Sequence, residues 1–295
     1  MIHYPLSRGR GKFLEKWLHV FRIRCEHRDQ ADLFAEHRSA AAVIVDSFQA
    51  HPEAEVGAGS EWHIAASNVF AGNAVEFQIG RVQSIKSPQY DDKKQIFYEE
   101  DGERAPYVHG VFDSDTQSCV IEKKSQITAK ASEVALKLEK LLNAPPFASK
   151  AGFRIVVDEL RDPEGFIEQI RQSESVTRFQ FVAEFENPHD VYNLIHGPAE
   201  RYNEEIGGQK TTVETRGPDL NKDVVEAMAR SAASVGDPAS ATIREAGQAK
   251  GKTIYLRGTP LLEKLSLPNG IEGMRDHMLG ALRSAYARLR QPLND

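Results

Sequence analysis

The chain has 295 residues, 40% of them apolar, with 37 Lys or Arg against 43 Asp or Glu and a formal charge of −6 at pH 7. That length exceeds the usual size of one hydrophobic core, so two domains are expected, and the acidic balance argues against a generally basic nucleic-acid-binding protein. Apolar runs such as Ala40 to Val45 fall far short of the roughly 20 residues a bilayer span needs, and Met1 to Lys16 has basic residues with no apolar run behind them, so neither a membrane segment nor a secretory signal is expected.

Cys25 and Cys119 stand apart, without C-x-x-C spacing, which argues against a disulfide framework or a cysteine zinc site and fits a cytoplasmic location. Charge is unevenly distributed. Met1 to Arg28 holds seven basic residues against Glu15 and Glu26, a basic pole, whereas Asp91 to Glu103 holds six acids against Lys93 and Lys94.

In chain order, His19 to His27 alternates, with His19, Phe21, Ile23 and Cys25 on one face and Arg22 and Arg24 on the other, which predicts a half-buried first strand. Asp29 is the expected cap of a helix running to about Phe48, with Leu33, His37, Ala41, Ile44 and Phe48 on one face, ended at His51-Pro52. Glu61 to Ala66, Val75 to Val82, Gln95 to Glu99, Tyr107 to Asp113 and Ser118 to Lys124 read as short strands. The last two flank the polar connection 114–117 and form the clearest hairpin. A helix follows over Ser132 to Asn143, stopped by Ala144-Pro145-Pro146.

Beyond a boundary placed at 144–151 the pattern changes to strand-helix-strand. A strand at Phe153 to Leu160 leads to a helix capped by Asp162 with Pro163 first, then a strand at Thr177 to Phe185, and a helical stretch from Asp190 interrupted at Gly197-Pro198. Thr211 to Thr215 is a strand, Asn221 caps a helix, two short strands lie near Ala241 and at Thr253 to Leu256, and a last helix aligns Ile271, Met274, Met278, Leu282, Ala285 and Leu289. The expected architecture is α+β: a sheet-rich domain over 1–143, a linker over 144–151, and a mixed-sheet domain over 152–295 with parallel crossovers.

The motifs are weak. Gly9-Arg10-Gly11-Lys12 lacks the spacing of a phosphate loop and is followed by Phe13 rather than Ser or Thr. Asp113 with Glu122-Lys123-Lys124 matches the D…E-x-K order of metal-dependent nucleases, but a 114–117 turn puts Asp113 opposite Ser118 and about 13 Å from Glu122 at strand rise. Cys25 and His27 share a face with Phe21 and Ile23, which makes it a core face rather than a metal site. The best catalytic candidates are Asp158 and Glu159 at one strand end and Glu184, Glu186 and His189 near the next, where parallel neighbours would converge. Arg8, Arg10, Lys12, Arg22, Arg24, Lys123 and Lys124 are the candidate nucleic-acid contacts. The arginines of the last helix, Arg275, Arg283, Arg288 and Arg290, spread around its polar side as solvated residues would.

The order of elements, namely a helix after the first strand, Glu61-Trp62-His63-Ile64, a strand ending in Gly80, and the hairpin from Val111-Phe112-Asp113 to Val120-Ile121-Glu122, resembles bacterial proteins encoded near mobile elements and is similar in outline to RexA-type phage-exclusion proteins. The resemblance implies a non-enzymatic component that binds DNA or a partner and self-associates, and it implies no catalytic residue. The function expected is therefore a binding or effector component of a prokaryotic anti-phage defence or regulatory system. Its expected partners are nucleic acid and a protein partner or second copy, with no cofactor, no metal and no membrane. The alternatives are a metal-dependent nuclease or hydrolase using Asp158, Glu186 and His189, and a protein-assembly subunit.

Overall fold

The protein's structure, a computed structural model, describes residues 14–27, 38–56, 60–127, 130–183, 197–208, 210–256, 258–267 and 273–289. The N-terminal part runs β1 (Leu14–His27), α1 (Ala40–Gln49), β2 (Glu53–Glu55), β3 (Glu61–Phe70), β4 (Ala74–Asp91), β5 (Ile96–Arg104), β6 (Tyr107–Asp113), β7 (Ser118–Glu122) and α2 (Ala131–Asn143). It continues with α3 (Phe147–Lys150), β8 (Phe153–Glu159), α4 (Glu164–Gln172), β9 (Ser175–Ala183), α5 (Gly197–Ile206), β10 (Thr211–Arg216), α6 (Lys222–Val235), β11 (Ala239–Arg244), β12 (Lys252–Tyr255), β13 (Leu262–Leu267) and α7 (Met274–Leu289). The fold class is α+β, as the sequence predicts. Among the described residues no helix is long and apolar enough to cross a membrane.

The local signals explain most boundaries. Residues 114–117 form the turn between β6 and β7, and Asp113 pairs with Ser118 in register. Asn221 caps α6 by accepting from the amides of Asp223 at 3.0 Å and Val224 at 3.3 Å, and Gly236, with φ +84°, ends that helix in the left-handed region that glycine tolerates. Ser39, not Asp29, caps α1, its side chain accepting from Ala42 N at 3.2 Å; the earlier part of the expected helix, 29–37, lies outside the described residues. Asp162 accepts from Glu164 N at 3.0 Å, the capping contact expected of it, and Pro163 stands between it and the start of α4.

The large sheet has the order β13-β1-β7-β6-β4-β3-β2, with β8 on β1 and β5 on β4. One edge of β1 is shared: its first half, Leu14 to His19, pairs with β13, and its second half, Phe21 to His27, pairs with β8. The backbone seals the junction, with Leu160 N donating to Val20 O at 3.0 Å and Val20 N to Leu261 O at 3.3 Å. Strands from both sides of 144–151 therefore hydrogen-bond to β1 in one sheet.

The expected parallel crossovers are corrected. The second sheet, β10-β9-β11-β12, is antiparallel in every pair, and so is the large one. The handedness rule governs two strands of the same sheet. Here β8 joins the first sheet and β9 the second, so α4 passes between sheets rather than over one.

Alternation then divides the large sheet into two buried faces. Phe21, Ile23, Phe77, Ile79, Phe112, Cys119 and Ile121 form one core with Phe48 of α1 and Leu138, Leu141 and Leu142 of α2. Leu18, Val20, Val111 and Val120 lie on the opposite face, under Met278, Leu282 and Ala285 of α7, in a core that continues into α6 and the second sheet. Phe77 opposes Gly110 across β4 and β6, and a Cβ at Gly110 would fall within the Phe77 ring, so glycine makes room for the aromatic there.

Candidate functional site

The α7-covered face carries the polar chemistry of the molecule. Asp113 is 0% exposed and receives a two-pronged ion pair from Arg283, with Nε at 2.9 Å and Nη2 at 3.0 Å. Arg275 reaches Glu76 at 2.9 Å, and Arg288 pairs with Glu263. The arginines expected as solvated residues are thus clamps that hold α7 on the sheet, because each sits above a carboxylate on an inward-facing strand position; Arg290 lies outside the described residues.

Glu122 is buried on the same face. It accepts from His109 N at 3.0 Å and from Lys16, while Lys124 Nζ lies 3.6 Å away. Burial pushes this carboxyl up, but the His109 amide and the Lys16 ammonium outweigh that and hold it below its ordinary value. Burial lowers the His109 pKa, and the opposing pull of Glu122 does not cancel the effect. A cleft of about 400 Å³ opens beside these groups, lined by Glu76, Gln78, His109, Gly273, Met274 and Arg275.

The residues selected from sequence scatter. Arg22 and Arg24, expected on an exposed strand face, are 5% and 8% exposed, because that face is covered as fully as the other. Arg22 donates to Thr116 O, to Tyr286 OH at 3.2 Å and to Gln117 Oε1 at 3.2 Å. Arg24 pairs with Asp158 at 2.7 Å and Glu26 at 3.7 Å; burial lowers its pKa and those acids partly restore it. Both guanidinium groups are committed inside the protein.

Lys123 and Lys124 are exposed, as expected, and Lys123 N bonds Trp17 O at 2.7 Å, which places both beside the start of β1 and Lys16. Arg8, Arg10 and Lys12 lie outside the described residues, as do Glu184, Glu186 and His189. Asp158 is not joined by a parallel neighbour, since β8 and β9 belong to different sheets, and it faces Arg24 instead. The Cys25 thiol is pushed up to about 12 by burial, which keeps it protonated. Among the described residues, one group has metal-ligating chemistry, Glu53, Glu61 and His63 at the β2–β3 edge.

The largest feature missed in the sequence is an arm. Strand β4 was expected to stop at Val82 but runs on to Asp91, pairing with β5 through nine registered positions from Gln83↔Arg104 to Asp91↔Ile96. At strand rise the arm extends about 30 Å. Every residue of β5 is exposed, and the end of the arm displays Tyr90, Ile96, Phe97 and Tyr98, with Phe97 at 82% exposure. Tyr90 and Phe97 oppose each other, ring centroids 4.8 Å apart. Asp91 Oδ1 accepts from Lys93 N at 2.9 Å and Lys94 N at 3.1 Å, which closes the turn. The signal was Tyr90 on one side and Ile96-Phe97-Tyr98 on the other side of Asp91-Asp92-Lys93-Lys94; Pro88 is tolerated because this stretch of β4 pairs with β5 alone among the described strands.

No protein-family model matches the chain, and no curated protein matches its sequence.

Proposed function

We propose that the protein is a non-catalytic binding component that assembles with a second copy of itself, the β4–β5 arm of one copy docking on the basic end of β1 in the other. The observation that carries this reading is the arm. An isolated two-stranded hairpin is marginal in water, and the four large apolar side chains at its exposed end join neither buried core among the described residues, Tyr90 and Phe97 packing on each other. Charge supplies the occupant: β5 bears Glu99, Glu100, Asp101 and Glu103, whereas Lys16, Lys123 and Lys124 gather at the start of β1, continuous with a segment carrying Arg8, Arg10 and Lys12. The resemblance to phage-exclusion proteins supports a place for such an assembly in prokaryotic defence. Light scattering at micromolar concentration and low salt is expected to give a dimer or larger species that dissociates as salt rises. The double variant Tyr90→Ser/Phe97→Ser is expected to be monomeric. A wild-type monomer under those conditions overturns the reading.

The same basic end supports a second reading, nucleic-acid binding, which Lys123 and Lys124 favour by their exposure and proximity to Lys16. Binding to labelled DNA or RNA is expected to fall steeply with salt and to weaken in Lys123→Glu/Lys124→Glu. An unchanged salt slope in that variant removes the residues from any such surface.

A further inference from the structure

We propose that Glu53, Glu61 and His63 form a binding site for one divalent metal ion of borderline softness, of the Zn²⁺ class. Strand β2 is only three residues long and pairs antiparallel with β3, with Glu53 directly opposite His63 and Glu55 opposite Glu61. Opposed residues share a face of a sheet, and residues two apart along a strand share it as well, so Glu53, Glu61 and His63 all project to one side. This register brings the three together without any turn or loop: the donor atoms lie within 4.8 Å of one another. His63 Nδ1 is 3.7 Å from Glu53 Oε2, and His63 Nε2 is 4.0 Å from Glu61 Oε2. A single ion takes one of the two ring nitrogens, and donors around a tetrahedral or octahedral ion at about 2.1 Å stand roughly 3.0–3.5 Å apart, so closure from separations within 4.8 Å requires side-chain movements of about 1–2 Å.

Electrostatics favours an ion there. Among the described residues no Lys or Arg lies within 4.0 Å of the carboxylates of Glu53 or Glu61. The short 57–59 segment between β2 and β3 reads Gly-Ala-Gly and adds no charge. Two carboxylates held on one face beside an imidazole, with no fixed cation between them, present concentrated negative potential to a divalent ion. The imidazole sets the class, because a nitrogen donor with two carboxylate oxygens suits Zn²⁺ better than Mn²⁺ or Mg²⁺, which prefer oxygen ligands, Mg²⁺ retaining its waters as well. The group also lies at the edge of the sheet, away from the strands that α7 covers. Three protein donors leave at least one coordination position towards solvent, open to water or to an anionic ligand. An ion bound there ties β2 to β3 through side chains as well as through its three backbone pairs.

The test is calorimetric titration of the full chain, stripped with chelator, using Zn²⁺, Mn²⁺ and Mg²⁺ in turn, together with thermal unfolding at each metal concentration. The result expected is one high-affinity Zn²⁺ equivalent, weaker Mn²⁺ binding and negligible Mg²⁺ binding, with a rise in Tm on Zn²⁺ addition. His63→Ala and the double variant Glu53→Gln/Glu61→Gln are each expected to weaken Zn²⁺ by at least about tenfold and to abolish the Tm rise. All three side chains are partly or largely exposed, so the metal-free variants are expected to unfold at the wild-type temperature, which separates loss of binding from loss of fold. Zn²⁺ binding that persists undiminished in both variants overturns the assignment, because the ion is then held by other histidines of the chain, and so does the absence of stoichiometric binding in the wild type.

Discussion

Strand β4 is one continuous stretch of backbone with two environments. From Ala74 to Gly80 it lies between β3 and β6, and Val75, Phe77 and Ile79 are buried against α1 and α2. From Gln83 to Asp91 it pairs with β5 alone among the described strands, and its side chains meet solvent on both faces. Alternation of apolar and polar residues marks the first half because one face enters a core; the second half alternates weakly because neither face does. Sequence patterning records burial rather than strandedness, and an arm that leaves the core loses most of its signature.

The comparison breaks first at the buried half. Phe112 is fully buried and stacks on Phe48, with ring centroids 5.5 Å apart. Phe112→Ala is expected to lower the free energy of unfolding by about 3–5 kcal/mol, read by urea denaturation. A loss below about 1 kcal/mol would mean that the α1–α2 face closes over the cavity. The clamps on α7 come next and can be compared with one another. Arg283→Ala leaves the wholly buried Asp113 with the Thr116 hydroxyl but without its bidentate cation and is expected to cost about 2 kcal/mol, reduced from the value for a fully buried pair because Arg283 is half exposed. Arg275→Ala removes a partner from Glu76, which keeps access to water, and is expected to cost less than about 0.5 kcal/mol. Equal effects would show that burial of the carboxylate is not what distinguishes them.

How much of this was legible follows the same division. The β6–β7 hairpin, its turn and the Asp113–Ser118 register were readable because a polar turn between two apolar strands leaves little choice, and the Asn221 and Gly236 ends of α6 are local chemistry. The roles of Arg22 and Arg24 were not readable. Alternation places them opposite Phe21 and Ile23, but a strand with a buried polar face looks like one with a solvated face until Tyr286 of α7 is brought to Arg22 and Asp158 of β8 to Arg24. Strand β13 was missed for a related reason, since Leu262–Leu267 is short and its partner β1 lies more than two hundred residues away. The metal-ligating group needed the β2–β3 register, and three residues of β2 give too little pattern to predict one.

His19 offers a smaller effect of opposite sign. It is 3% exposed, and neither ring nitrogen has a hydrogen-bond partner among the described residues. Burial, aided by Lys123, lowers its pKa from 6.5 to about 4. The unfolded chain therefore takes up a proton near pH 6.5 that the folded chain refuses until about pH 4, so stability falls as pH falls through that window. His19→Leu is expected to raise stability by about 1 kcal/mol at pH 7 and to flatten the decline between those pH values. Unfolding curves that keep the same slope in the variant would assign the decline to other groups.

The smallest expected effect on stability is also the most informative about the arm. Phe97 belongs to neither core among the described residues, so Phe97→Ser is expected to change the unfolding free energy by less than about 0.5 kcal/mol while weakening self-association. The two readouts separate the accounts of why an apolar side chain stands in water. If stability drops with association at high protein concentration and not at low, the residue is buried between copies and its stabilisation follows mass action. If stability drops at every concentration, the arm packs against its own chain in solution, and the proposed docking surface is lost. If neither changes, the cost of exposing Phe97 is borne without a partner, and the basic end of β1 must be explained by nucleic acid alone.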